Sequence, residues 1–177
     1  MLLSSRKAIL EQMHSLDISM ERCIEFQCKY IELDPHFVTF YNWARAADIP
    51  VVILSGGLRP LILALLAKLL GKEEAERIEL VSNDVEFEGD DGKGGQGQRQ
   101  WKVRFHDGSD LGCDKAAEID KYAARYQGLT DAERPALLFA GDGITDLCAA
   151  GSCDLLFAKS GKGGVLISFF CRSLEWC

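Results

Sequence analysis

Two stretches of this chain place side chains that could handle a phosphate and a cation. The first is Phe139-Ala140-Gly141-Asp142-Gly143-Ile144-Thr145-Asp146, where two carboxylates four residues apart flank a glycine turn after an apolar run. Such a turn would project Asp142 at the carboxyl edge of a parallel sheet, where ligands bind in open α/β folds. A hard cation such as Mg²⁺ takes oxygen ligands, usually one or two carboxylates completed by phosphate and water, so Asp142 and Asp146 are the candidate metal ligands. The second stretch is Ile53-Leu54-Ser55-Gly56-Gly57. A hydroxyl, two glycines and a helix start at the end of a strand make an anion site, because helix amides and dipole favour phosphate and glycines let the backbone come close. Lys115 adds an ammonium just inside the start of an expected helix, where it would stabilise charge on phosphoryl oxygens. Each feature has a plainer reading. Ser55 can be a helix cap, Asp142 a turn residue, Asp146 a solvated helix residue and Lys115 a surface lysine.

The elements that must position these residues follow from the hydrophobic pattern. Residues 4–31 read as two amphipathic helices, with Ile9, Met13 and Leu16 on one stripe and Met20, Ile24 and Cys28 on another. Asp34-Pro35 starts a third helix whose buried stripe is Phe37, Tyr41, Ala44 and Ala47, and which ends near Asp48 before Pro50. Val51-Val52-Ile53-Leu54 is continuous and β-branched, as suits a strand buried in a parallel sheet, and Ser55-Gly56-Gly57 is the turn after it. Pro60 to Leu70 is a nearly all-apolar helix closed by Gly71. Ile78 to Val81, Val85 to Phe87 and Trp101 to Phe105 read as strands of a small meander, with a flexible loop from Gly89 to Gly97. Asp114 to Gln127 is a helix, Ala136 to Ala140 a buried strand, Ile144 to Ala150 a short helix and Leu155 to Ala158 a further strand. The repeated order of strand, glycine turn and helix predicts an α/β fold with a parallel sheet.

Composition narrows the class. The chain has 177 residues with 47% apolar and 27% charged, an ordinary globular balance that can bury a core without disulfides. Lys+Arg is 20 and Asp+Glu is 27, giving a net charge of -7. No basic stripe is visible, so nucleic acid is not an expected partner. The longest apolar stretch, Leu61 to Ala67, falls short of the roughly 20 residues a membrane span needs. The seven cysteines form no Cys-x-x-Cys pair. Buried free thiols in a reducing compartment, the cytoplasm, are the expectation. Gly161-Lys162-Gly163-Gly164 lacks the Ser or Thr that a nucleotide P-loop places after lysine.

Taken together, the order Ser55-Gly56-Gly57, then Lys115, then Gly141-Asp142-Gly143 and Asp146 resembles the haloacid dehalogenase superfamily of Mg²⁺-dependent phosphatases, in its phosphoserine phosphatase-like branch. Ser55 resembles that family's second motif, Lys115 its third, and Asp142 with Asp146 its fourth. Val81 to Phe87 and Trp101 to Val103 are similar to its hairpin region. The resemblance implies a three-layer, Rossmann-like parallel sheet with a helical cap, and phosphate-monoester hydrolysis through an aspartyl-phosphate. It also implies that Ser55 and the Gly56 amide bind phosphate with Lys115, that Asp142 ligates Mg²⁺, and that Asp146 supports the metal site and holds Lys115, a catalytic pair. The implied partner is a small phosphorylated metabolite such as phosphoserine.

One motif departs. The family's first motif is an Asp-x-Asp after a buried strand, and no two aspartates in this chain stand two positions apart. The expectation is therefore a single domain (helical cap remnant 1–33, core 34–160 with a β insertion near 78–106, divergent apolar tail 161–177) that lacks the first central strand and the nucleophile. A truncated homologue that does not hydrolyse by itself is expected. The alternatives are a non-catalytic phosphate- or partner-binding protein, and an unstable gene-model fragment.

Overall fold

The computed structural model describes residues 5–87, 101–130 and 132–158. The expected loop from Gly89 to Gly97 and the tail 161–177 lie outside the described residues. The chain divides into two compact units, Met1–Cys113 and Asp114–Cys177.

The first unit begins with the two expected helices, α1 (Ser5–His14) and α2 (Met20–Tyr30). Ser19 caps α2 by accepting from the Arg22 amide. Helix α3 (His36–Ala46) follows, and Asp34 Oδ1 accepts from the His36 amide at 3.0 Å. Tyr41 and Ala44 on α3 are buried, whereas Ala47, expected on that stripe, is exposed. It lies past the helix end, which Asp48 makes by adopting a left-handed φ of 56°. The core of this unit joins Tyr41 to Leu66, Ala75 and Ile78, with Phe37 and Ile53 packed against them.

Strand β1 (Val52–Leu58) runs into α4 (Arg59–Leu70), which has proline in its first turn and Gly71 at its end with φ 88°. A short helix α5 (Lys72–Arg77) leads to β2 (Glu79–Phe87). The two segments expected as separate strands, Ile78 to Val81 and Val85 to Phe87, form this single strand. It changes partner along its length. Glu79 to Asn83 pair parallel with β1, and Asp84 to Phe87 pair antiparallel with β3 (Trp101–Arg104). A second correction concerns Ser55-Gly56-Gly57. These residues are not a turn after the strand but part of β1. Ser55 pairs with Ser82 and Leu58 pairs with Asn83, so Gly56 and Gly57 form a bulge without partners on β2. Two glycines tolerate this extra length where bulky strand residues would not.

Beyond β3, the chain turns through residues 105–113. Arg6 holds this turn, donating to the carbonyls of Asp107 at 2.8 Å and Ser109 at 3.3 Å. Its guanidinium also lies over the Phe105 ring. Gly112 closes the turn with φ 76°.

The second unit contains α6 (Lys115–Ala124), β4 (Leu138–Gly141), a 3₁₀ helix (Ile144–Gly151) and β5 (Leu155–Ala158). Asp114 caps α6 by accepting from the Ala116 and Ala117 amides. Strands β4 and β5 pair in parallel from Leu138 with Leu155 to Gly141 with Ala158. Arg134 grips Asp154 with two bonds of 2.8 and 2.6 Å, and the Leu137 amide donates to the same carboxylate at 2.7 Å. The short helix after the glycine turn is 3₁₀, the tighter form used in short pieces. Strand β4 was expected to be buried, yet Leu138 on it is 61% exposed.

Gly112 supplies a test of the first unit. A Cβ there would meet Phe105 Cε1 at 2.8 Å in a backbone conformation that L side chains rarely adopt. Gly112→Ala should destabilise the chain by about 2–4 kcal/mol in urea unfolding. Gly108→Ala, where a Cβ meets nothing within 4 Å, should change stability by less than about 0.5 kcal/mol.

Candidate functional site

In the second unit, strand β4 ends at Gly141 and the chain turns through Asp142 and Gly143 into the 3₁₀ helix. Asp146, in the first turn of that helix, folds back under the turn. Its Oδ2 accepts from the Asp142 amide at 3.0 Å and the Gly143 amide at 2.9 Å. Its Oδ1 accepts from the Lys115 ammonium. Asp146 is 4% exposed, so the solvated-helix reading of this residue is overturned. Burial pushes its carboxyl up in pKa. The Lys115 ammonium and the two turn amides outweigh burial and hold it below the ordinary aspartate value of 3.8.

The same geometry explains Gly141. A Cβ there would collide with Asp146 Oδ2 and lie 2.6 Å from its Cγ and 2.7 Å from its Cβ. The missing side chain of Gly141 is the space Asp146 occupies. Asp142, by contrast, is exposed, and its carboxylate has no hydrogen-bond partner among the described residues. The two expected metal ligands therefore differ. Three N–H donors occupy both oxygens of Asp146, so of the pair only Asp142 offers an unshared carboxylate to a cation.

In the first unit, Ser55 Oγ accepts from the Gly57 amide at 3.1 Å. That bond bends the bulge into the start of α4. Among the described residues no side chain caps α4, so its first amides remain directed at whatever lies before the helix. Asn83 fixes the bulge from the side. It is fully buried, its Nδ2 donates to the Gly56 carbonyl at 2.8 Å, and its Oδ1 accepts from the His106 amide at 3.0 Å. The peptide between Gly56 and Gly57 is thus tied at both its oxygen and its nitrogen.

The structure brings Lys115, Asp146 and the amides of Asp142 and Gly143 into one cluster. Ser55 and Gly56 belong to the other unit, where their companion is Asn83. Asn83 and the spatial need for Gly141 were not anticipated. A signal for Asn83 was present, since an amide in the apolar strand context of Leu80-Val81-Ser82-Asn83 must find partners if buried. Among the described residues, no three His, Cys, Asp or Glu side chains converge as a complete metal cage.

The family model described as haloacid dehalogenase-like hydrolase matches residues 3–151. The polyol phosphate phosphatase PYP1 of Saccharomyces cerevisiae is 39% identical over 161 residues, which are 90% of this chain and 64% of that protein. Pdp3-interacting factor 1 of Schizosaccharomyces pombe is 39% identical over 160 residues, 90% of this chain and 65% of that protein. The chain spans somewhat less than two thirds of the length of these relatives. No solved structure matches it.

The Asp146 cluster carries a stability test with a definite sign. A carboxyl depressed in the folded state stabilises the fold above its unfolded pKa, and that stabilisation is lost as pH falls through the folded value. The stability difference between the chain and Asp146→Asn should therefore be full near pH 7 and should shrink progressively below about pH 4. Lys115→Met leaves a buried carboxylate without its cation and should cost about 3–5 kcal/mol at pH 7. Gly141→Ala should cost about 2–4 kcal/mol by displacing Asp146. Urea unfolding across pH measures all three.

Proposed function

We propose that this chain, which belongs to the haloacid dehalogenase-like hydrolase family, carries the phosphate-holding parts of a phosphomonoester phosphatase. The observation that carries the reading is the buried Asp146, which holds the Lys115 ammonium and the turn amides at once. An ammonium fixed in this way loses little freedom when it meets a phosphoryl group, and it offsets the charge on the phosphoryl oxygens. Lys115 is the group that touches phosphate. Asp146 acts through it as a positioning residue. The Ser55 hydroxyl and the Gly56 amide receive phosphoryl oxygens at the head of α4, where the helix dipole adds to their pull.

Mg²⁺ is the cofactor we propose. The donor set fits it at Asp142, an exposed carboxylate with no partner among the described residues. Asp142 would hold the ion with phosphate and water oxygens, as Mg²⁺ prefers. When bound, the ion polarises a phosphoryl oxygen.

The substrate proposed is a small phosphorylated metabolite. The likeness to a polyol phosphate phosphatase supports a polyol phosphate. The phosphoserine-like order of the motifs supports phosphoserine as the second reading. The apolar and charge balance and the free thiols, among them Cys23, Cys28 and Cys153, support the cytoplasm as its place. Among the described residues, no helix is long and apolar enough to cross a membrane.

Because no two aspartates stand two apart in these 177 residues, we propose that they bind phosphate but do not turn over an ester by themselves. In a phosphate-release assay with Mg²⁺, neither a polyol phosphate nor phosphoserine should be hydrolysed. In calorimetry, inorganic phosphate should bind, and Ser55→Ala should weaken it by about tenfold, as for one hydrogen bond to a charged group. Steady turnover that Asp142→Asn abolishes would overturn the inactivity. A chain that is folded and binds no phosphate would overturn the phosphate-holding role.

A further inference from the structure

The first unit holds one polar group that its own fold does not use. Among the described residues, Ser82 Oγ is the only buried side-chain nitrogen or oxygen without a hydrogen-bond partner. Ser82 is 7% exposed and lies in the middle of β2. An unpaired buried hydroxyl is unfavourable compared with alanine, which would pack in the same strand at no polar penalty. A group in that condition is accounted for when its partner arrives from outside the chain.

Its position says which partner. Ser82 pairs in register with Ser55 across parallel strands. Register partners in a sheet carry their side chains on the same face, so Ser55 and Ser82 are neighbours on one face of the sheet. The bulge opens immediately after this pair, because Gly56 and Gly57 have no partner on β2. Next along β2, Asn83 holds the Gly56 carbonyl at 2.8 Å and keeps the bulge in that open form. Ser55 Oγ already accepts from the Gly57 amide at 3.1 Å, at the entrance to the uncapped, twelve-residue α4. Ser82, the register partner of Ser55, is thus a second hydroxyl one strand away from this entrance and has no hydrogen-bond partner among the described residues. Turning about χ1 is enough to redirect a serine hydroxyl between staggered positions.

We propose that Ser82 is a second hydroxyl ligand of the oxyanion held at the head of α4, donating to an oxygen of the same phosphoryl group that Ser55 receives. The inference rests on the phosphate-holding role of Ser55 proposed above and adds a residue to it. The ligand class is a tetrahedral phosphoryl oxyanion, for which inorganic phosphate is the probe.

The test titrates inorganic phosphate into the 177-residue chain and into Ser82→Ala, Ser82→Thr and Ser55→Ala, with a thermal unfolding curve for each. Ser82→Ala should keep or raise Tm, because it removes an unpaired buried hydroxyl. It should weaken phosphate by about tenfold, the scale of one hydrogen bond to a charged group. Ser82→Thr keeps the hydroxyl and should bind phosphate within about threefold of the parent chain, the ordinary variation between contexts. If Ser55→Ala weakens phosphate while Ser82→Ala binds as tightly as the parent, the Ser82 inference falls and the Ser55 reading stands. If the folded parent chain binds no phosphate, both fall. If Ser82→Ala unfolds or loses several degrees of Tm, the hydroxyl has a structural partner and the inference is overturned.

Discussion

A carboxylate shut away from water has to find its donors inside the protein, and Asp146 finds three. Two are the amides of the turn it follows, and the third is the ammonium of Lys115. Much of the second unit follows from satisfying this one group. The amides of Asp142 and Gly143 must point inward, which leaves the Asp142 side chain on the outside. Gly141 must lack a Cβ, because Asp146 fills that volume. Helix α6 must begin where its first residue reaches the carboxylate, and Asp114 fixes that start by capping the helix. If any of the three donors were withdrawn, the carboxylate would remain buried with its charge uncompensated. Breaking such a pair is therefore far more damaging than the pair's own net contribution would suggest.

The first unit solves a related problem with a neutral amide. Asn83 is buried at the point where β2 leaves its parallel partner β1 and takes up its antiparallel partner β3. The bulge in β1 leaves the Gly56 carbonyl without a ladder bond, and the end of β3 leaves the His106 amide without one. One side chain satisfies both, since asparagine carries a donor and an acceptor on the same small group. A leucine or valine in its place would pack well and leave both backbone groups unpaired. An aspartate would accept from His106 but would set two oxygens against each other at Gly56.

How far the sequence made this legible depended on the range of each interaction. Helices α1, α2, α4 and α6 were readable because their stripes, caps and closing glycine are local signals. The continuous apolar run of β1 and the carboxylate spacing of Asp142 and Asp146 were readable for the same reason. The β1 bulge was not, because a Ser-Gly-Gly run suits a turn as well as a bulge until a partner strand sets the register. The fusion of two expected strands into β2 was hidden by Ser82-Asn83-Asp84, which reads locally as a polar break. Within it, the bulge and His106 satisfy Asn83 and Arg104 satisfies Asp84, all from distant parts of the chain. Spacing alone did not say which of Asp142 and Asp146 turns inward, whereas the family resemblance already gave Asp146 the part of holding Lys115.

The parts that would hold a phosphate are set by folding needs that exist without any reaction. Asp146 must be paired because it is buried, and in being paired it fixes the Lys115 ammonium. Asn83 must be bonded because it is buried, and in being bonded it fixes the Gly56 peptide beside Ser55. Electrostatic stabilisation needs donors that are already aligned, and here the alignment is enforced by groups that contribute to stability whether or not an ester is present. A nucleophile adds a covalent step to such a frame but does not build it. On the proposed reading, phosphate recognition and phosphate chemistry are therefore separable.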